Sequence, residues 1–379
     1  MPTYDLHAAL SKLDRDIRDK LAHHGFSPER LERFAATLAE SGTQTAETRR
    51  DARNRVASAE PPRPGEIEDA PRDDAAARAL GLDALREGKL AFCVMAGGMA
   101  TRMGGVVTAL VEDAAEMPFL DVRLHENALA SKRAGRPVPL WIMTSAATDE
   151  AIRAALKERD APPHVRTFVQ DLSLRLTERG ELFTDAQGKP STYATGHGDL
   201  PDALLRSGLL AEHVRAGGEY VWITNVDNLG ATLDDTLLGF FARSGKELMV
   251  EVTDKLENDR GGIPVHAAGA LQVLEEFRLP KGFDASQVTV FNTNTFLVRA
   301  RPLLESKLEW TFFEVQKKVD GKTAVQFERL LQELTRVMTT VYLRVPRAGS
   351  GARFLPVKDP DELERRRPEI KAVLDARLR

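Results

Sequence analysis

Leu6, Leu10, Leu13, Ile17 and Leu21 recur at helical spacing up to Gly25, and Ser27-Pro28 opens a second such run through Leu31, Phe34 and Leu38. A helical hairpin is expected there. Residues 43–75 lose the period, are rich in Arg, Ala and Glu, and include Pro61, Pro62, Pro64 and Gly65, which predicts a surface linker. An amphipathic helix over 75–86 leads into the main domain. From residue 89, short apolar runs of strand length alternate with stretches of helical period. Strands are expected at 90–95, 139–144, 166–169, 220–225, 248–253, 288–291, 295–298 and 339–345, and helices at 119–133, 148–158, 201–215, 234–243 and 323–334. Such alternation predicts an α/β fold, a mostly parallel sheet covered by helices, with ligands in the loops at the carboxyl ends of the strands. The chain then divides into a helical hairpin and linker over 1–88, a main domain over 89–345 and a C-terminal segment over 346–379. No internal repeat is visible.

Hydrophobic residues at 42% and charged residues at 29% fit a globular chain rather than a disordered or fibrous one. The formal net charge of −4 is small for 379 residues and gives no reason to expect a nucleic-acid or anionic-membrane partner. Cys93 is the single cysteine and lies in an apolar run. An intramolecular disulfide framework and a cysteine-rich metal site are excluded, and a reducing compartment fits. The first residues are charged throughout, without the apolar core of a signal peptide, and no later window approaches a membrane span. A cytoplasmic protein is expected.

The run at 90–95 leads into Ala96-Gly97-Gly98-Met99-Ala100-Thr101-Arg102-Met103-Gly104-Gly105. Glycines after a strand let backbone amides approach a phosphate, and Arg102 offers a charged fork to its oxygens. The loop is neither a Walker loop nor a dinucleotide fingerprint, and turn geometry alone would also account for its glycines. Asp227, in Asn225-Val226-Asp227-Asn228-Leu229-Gly230, follows a buried-type strand, where an α/β enzyme holds magnesium against phosphate oxygens. The other reading is an Asp-Asn turn capping the next element. In Thr195-Gly196-His197-Gly198-Asp199 the glycines suit a loop against which a base or sugar lies while the imidazole donates one directed hydrogen bond, though a surface-loop histidine has the same pattern. Phe291-Asn292-Thr293-Asn294-Thr295 places amides at a strand end, suited to sugar hydroxyls or to a plain turn. Lys358 follows the apolar stretch 354–357, whose packing would fix its ammonium; a solvated surface lysine is the alternative.

Taken in order, residues 96–105, 196–199, 224–234 (TNVDNLGATLD), 250–262 (VEVTDKLENDRGG), 291–294 (FNTN) and 354–358 (FLPVK) closely resemble the UTP–glucose-1-phosphate uridylyltransferases. The match spans residues 89–358. It implies a Rossmann-like, GT-A-like nucleotidyltransferase domain in which UTP and a hexose 1-phosphate give a UDP-sugar and pyrophosphate, the sugar-phosphate oxygen attacking the α-phosphorus in line. By the same resemblance Ala96, Gly97 and Gly98 cradle the nucleotide, Met143 stands on the second strand beside it, and Gln170 with Gly196 reads uracil. His197, Asn225, Asn292 and Asn294 face the hexose, with Glu328 and its neighbour Gln326 on the sugar side. Asp227 supports Mg2+, and Arg102 and Lys358 supply catalytic charge to the phosphates. Gly196-His197-Gly198-Asp199 has the glucose-type form of its loop, where the N-acetylhexosamine enzymes carry Gly-Asn-Gly-Gly; Thr101-Arg102 leans toward that second group.

Family members place a lysine shortly after the glycine loop, in a Gly-Pro-Lys context. Here residues 104–110 read Gly-Gly-Val-Val-Thr-Ala-Leu, and Thr108 takes the nearest position. Phosphoryl-transfer catalysis is mostly positioning and charge stabilisation, so two expectations follow. One is an active uridylyltransferase in which Arg102 and Lys358 carry the charge, with Lys255 or Arg260 as further candidates. The other is a UDP-sugar-binding protein with weakened turnover. Glucose-type eukaryotic members also continue past FLPVK into a β-helical assembly domain, whereas residues 359–379 read as one charged helix, so assembly through such a domain is not expected.

Overall fold

The computed structural model describes residues 4–40, 45–100, 105–111, 117–257, 259–357 and 359–378. Eight strands form the central sheet: β1 (Ile67–Asp69), β2 (Leu90–Met95), β3 (Leu140–Thr144), β4 (Val165–Val169), β5 (Tyr220–Asn225), β6 (Leu248–Asp254), β7 (Val290–Arg299) and β8 (Thr340–Arg344). Their order is β1-β8-β6-β7-β5-β2-β3-β4. All neighbours are parallel except the two pairs that β7 makes, with β6 and with β5. Strands covered by helices on both faces read as continuous apolar runs, which is why LAFCVM and LWIMT are buried throughout. Phe92 and Trp222 point into one core and Cys93 and Ile223 into the other. From β2 the chain steps outward to β3 and β4, then returns on the other side of β2 as β5. The carboxyl ends of β2 and β5 therefore flank a topological switch point, where open α/β sheets bind ligands.

On one face, the helices Ala75–Arg86 and Asp235–Ser244 meet backbone to backbone. A Cβ at Gly81 would stand 1.8 Å from the Asp235 carbonyl oxygen, and one at Gly239 1.7 Å from that of Ala77. Only glycine fits either position.

Several expectations need correction. The N-terminal apolar run makes two helices, Leu6–Ser11 and Arg15–His23, before Pro28–Ala39, whose cap is the Ser27 hydroxyl. Residues 43–75 are not only a linker: they hold the helix Ala46–Asn54 and the edge strand β1. That helix is anchored by polar contacts, Arg49 Nη2 to the buried Glu314 carboxylate at 2.7 Å and Asn54 Nδ2 to the Glu314 carbonyl at 2.9 Å. The helix expected over 201–215 breaks at Gly208 (φ 78) into Leu200–Ser207 and Leu209–Arg215. The strands expected at 288–291 and 295–298 are one strand, β7, with Asn294 at φ 59 and a register shift opposite Val250 and Val252. The Phe291–Asn294 motif thus lies inside a strand rather than at its end. In place of the helix expected over 323–334, Phe313–Val319 pairs with Lys322–Glu328 across Asp320-Gly321, both at positive φ (50 and 77), and a 3-10 turn Leu331–Arg336 follows. Asp-Gly at such a turn is a strong hairpin signal and outweighs the helical spacing beyond it. No helix among the described residues is long and apolar enough to cross a membrane.

Candidate active site

A cleft of about 320 Å³ opens at the switch point. Met95, Gly97 and Gly98 at the end of β2, with Thr108, form one side. Met143 and Gln170 stand at the ends of β3 and β4, and Gly196 and His197 arrive from the loop after the short strand Thr192–Ala194. Asn225, Val226 and Asp227 close the cleft at the end of β5.

The glycines answer to close approaches. A Cβ at Gly97 would lie 2.7 Å from Gln170 Oε1, so the Gln170 amide can sit over the loop only because residue 97 has no side chain. Ser145 Oγ donates to the Gly97 carbonyl at 2.8 Å, Thr148 Oγ1 to that of Ala96 at 3.1 Å, and the Thr108 amide to that of Gly98 at 3.2 Å. Ala96 is fully buried and supports the loop from beneath rather than lining the cleft. Gly196 adopts φ 99, with the Arg329 carbonyl oxygen 2.4 Å from where its Cβ would be. His197 Nδ1 accepts from the Leu331 amide at 3.0 Å, which leaves the ring proton on Nε2. Burial pushes the His197 pKa down to about 4, so near neutrality the ring is an uncharged donor.

The Asp227 loop is gripped from behind. Arg123, fully buried on the helix Phe119–Ala134, donates to the carbonyls of Asn225 (3.1 Å), Asn228 (2.5 Å) and Ala231 (3.2 Å). It pairs with Glu126 at 2.8 Å, and Glu126 accepts from the Leu233 amide. Arg353 acts likewise from the C-terminal segment, bonding Glu251 at 2.7 Å and the Thr232 carbonyl at 2.9 Å. Asn228 Oδ1 accepts from the Leu355 amide at 2.8 Å, and the Asp227 carbonyl from the Val357 amide at 3.2 Å, which seats residues 354–357 against this loop. Lys358 and Arg102, the two expected catalytic cations, lie outside the described residues.

A chain of amides runs from the cleft into β7. Asn294 Nδ2 donates to Asn225 Oδ1 at 3.0 Å, and the Asn294 main chain donates to Asn292 Oδ1 at 3.0 Å. Among the described residues Asn294 Oδ1 is buried without a hydrogen-bond partner, an acceptor to be satisfied. Glu328 and Gln326 do not line the cleft; Gln326 accepts from Arg175 Nε at 2.9 Å and donates to Glu328. The structure therefore brings Gly97, Gly98, Met143, Gln170, Gly196, His197, Asn225 and Asp227 together, joins Asn294 and Asn292 to them through Asn225, and leaves Ala96 and Glu328 off the wall. Sequence reasoning missed Arg123, Arg353 and Arg329, because nothing local distinguishes a buried arginine clamp from a surface arginine.

The sequence model of the UTP–glucose-1-phosphate uridylyltransferase family matches residues 39–366. The UTP–glucose-1-phosphate uridylyltransferases of Encephalitozoon cuniculi and Musa acuminata are 30% and 31% identical over 291 residues, covering 73% of this chain and 57% and 62% of those proteins. The chain spans less than two thirds of the length of these curated relatives. Among solved structures, a UDP-glucose pyrophosphorylase variant from Leishmania major aligns with TM-score 0.70 at 22% identity, covering 88% of this chain and 74% of that one. A UDP-N-acetylglucosamine pyrophosphorylase from Trypanosoma brucei aligns with TM-score 0.70 at 20% identity, covering 96% and 84%. Those two share the fold. With a family match over residues 39–366 that takes in every strand of the sheet, the chain belongs to the UTP–glucose-1-phosphate uridylyltransferase family.

Proposed function

We propose that this chain transfers the uridylyl group of UTP to a hexose 1-phosphate, glucose 1-phosphate first among them, and releases pyrophosphate with magnesium held at Asp227. One observation carries this reading: the glycine loop, Gln170, the His197 loop, Asn225 and Asp227 face a single cleft at the switch point of the sheet. In the reaction a phosphate oxygen of the sugar attacks the α-phosphorus in line while the bond from that phosphorus to the β-bridging oxygen breaks. The work of the chain is then positioning and charge stabilisation. Gln170 offers both a donor and an acceptor to the uracil edge. His197, neutral with its proton on Nε2, is suited to donating a hydrogen bond rather than to taking a proton. Asn294 Oδ1 offers an acceptor to a hydroxyl beside Asn225.

Asp227 fits magnesium by the chemistry of its donor set. Among the described residues no three His, Cys, Asp or Glu side chains gather into a cage. A carboxylate that lines a phosphate cleft suits an ion that keeps water and substrate oxygens as most of its ligands. When bound, the ion neutralises charge on the phosphates. The buried Cys93 supports a reducing, cytoplasmic setting.

Pyrophosphate release from UTP, magnesium and a panel of sugar 1-phosphates tests the proposal, with glucose 1-phosphate expected to turn over fastest. Asp227→Ala should abolish that turnover with little change in melting temperature, since it takes away a cleft carboxylate and no core side chain. Full activity in the variant removes Asp227 from the site. A second reading rests on Thr108, which lines the cleft where the family resemblance places a lysine. UDP-glucose binding without pyrophosphate release would make the chain a UDP-sugar-binding protein. Preference for an N-acetylhexosamine 1-phosphate would reassign the sugar.

A further inference from the structure

Arg329 directly follows the strand Lys322–Glu328 and is 1% exposed. Its guanidinium bonds three carboxylates from two segments of the chain: Nε to Asp199 at 2.6 Å and Nη1 to Asp202 on one helical stretch, and Nη2 to Asp171 at 2.8 Å on the other segment. Asp171 is the neighbour of Gln170, and Asp199 ends the loop that carries His197. The main chain of Arg329 holds the same loop. Its amide donates to the Thr195 carbonyl at 2.9 Å and its carbonyl accepts from the Gly198 amide at 3.1 Å. Two residues on, the Leu331 amide fixes the His197 tautomer. A Cβ at Gly198 would stand 2.6 Å from the Arg329 carbonyl carbon, so this loop needs its glycines to lie on Arg329.

The cluster is balanced. Arg206 and Arg30 pair with Asp171 at 2.9 and 3.7 Å, setting three guanidiniums against three carboxylates. The rings of Trp310 and Phe312 cover the Arg329 guanidinium at 5.3 and 5.4 Å. Burying this much charge adds little stability over apolar packing. What it does provide is one fixed geometry for the segment that carries Gln170 and Asp171 and the one that carries His197, Asp199 and Asp202.

We propose that Arg329 is a positioning residue that ties Gln170 and His197 to one rigid base, so that the nucleotide side and the sugar side of the cleft keep a common register. The naming of those two sides rests on the function proposed above. Arg329→Gln removes the charge, and Arg329→Lys keeps it but cannot reach three carboxylates at once. In Arg329→Gln, kcat/KM should fall about 10- to 100-fold, as expected when reacting groups shift by an ångström. Arg329→Lys should recover part of the loss.

Nitrogen-15 spectra of the histidine-labelled full chain give a readout independent of turnover. Wild type should show His197 as a single neutral tautomer protonated on Nε2, and Arg329→Gln a signal averaged between tautomers. If the wild-type protein takes neither UTP nor UDP-glucose, the proposed function fails while the histidine signal still reports on Arg329. A folded Arg329→Gln protein with the wild-type His197 signal overturns the proposal. Should both Arg329 variants fail to fold, Asp199→Asn loosens the same grip from the other side with no change in volume, and an unchanged His197 signal there overturns it equally.

Discussion

The two rims of the cleft are each held by a buried arginine, but against different partners. On the Asp227 rim, Arg123 meets three backbone carbonyls of one continuous loop and a single carboxylate. On the Gln170–His197 rim, the hydrogen bonds of the Arg329 side chain go to carboxylates, Asp171 from one segment and Asp199 and Asp202 from another. Carbonyls do not titrate in the accessible range, and carboxylates do. The first rim is therefore held mainly through the uncharged backbone acceptors of one loop, while the second joins two segments of the chain through a balance of charges. Burial raises the Asp199 pKa, against the pull of Arg329.

The contrast is broken most forcefully by Arg123→Met. It strands Glu126, 2% exposed, beside the Leu233 amide alone and should cost about 3–5 kcal/mol in urea unfolding. A loss within about 0.5 kcal/mol, the range of ordinary surface changes, would mean that the clamp does not hold its rim.

A charge placed between the rims has the next largest effect. Thr108→Lys would extend toward the β- and γ-phosphates and should raise turnover about tenfold, or roughly 1.4 kcal/mol of transition-state stabilisation. UDP-glucose affinity should move much less, because that product has no β,γ-pyrophosphate. No rise over a wild-type rate that is already high would assign the role to Arg102 or another cation.

The smallest effect sharpens the titrating side. The folded-state pKa of His197 is about 4, below its ordinary 6.5, so as pH falls the unfolded chain takes the proton first. The neutral ring therefore contributes fully above pH 6.5, and the contribution is lost as pH falls toward 4. The stability difference between wild type and His197→Asn should be flat near pH 7 and shrink by about 1 kcal/mol at about pH 5.5, allowing for partial solvent screening. A flat difference across that window would return His197 to a solvated loop.

Legibility in the sequence followed the kind of force at each place. β2 and β5 match their expected spans residue for residue, because strands buried on both faces must be continuously apolar. The hairpin at 313–328 was hidden because Ala324, Phe327, Leu331 and Leu334 also satisfy helical spacing, and Asp320-Gly321 carried the deciding information. The helix Ala46–Asn54 escaped because hydrogen bonds to Glu314 hold it, which periodicity does not register. In the cleft, residues borne by motifs converge, since the glycine loop, the His197 loop and the Asp227 loop each follow the end of a strand. The arginines behind them could not be found, because their burial is decided by partners far along the chain: residues 225–231 for Arg123, and Asp171 and Asp199 for Arg329.

The backbone contact between the helices Ala75–Arg86 and Asp235–Ser244 makes Gly81 and Gly239 a single unit of evolutionary change. Neighbouring sites that share one space do not add independently. The first side chain to appear at either position must push the helices apart, and the gap it opens lets the second appear almost without penalty. As the lineage diverges the two glycines should be retained together or lost together, and the spacing of this helix layer should change in one step rather than by gradual drift.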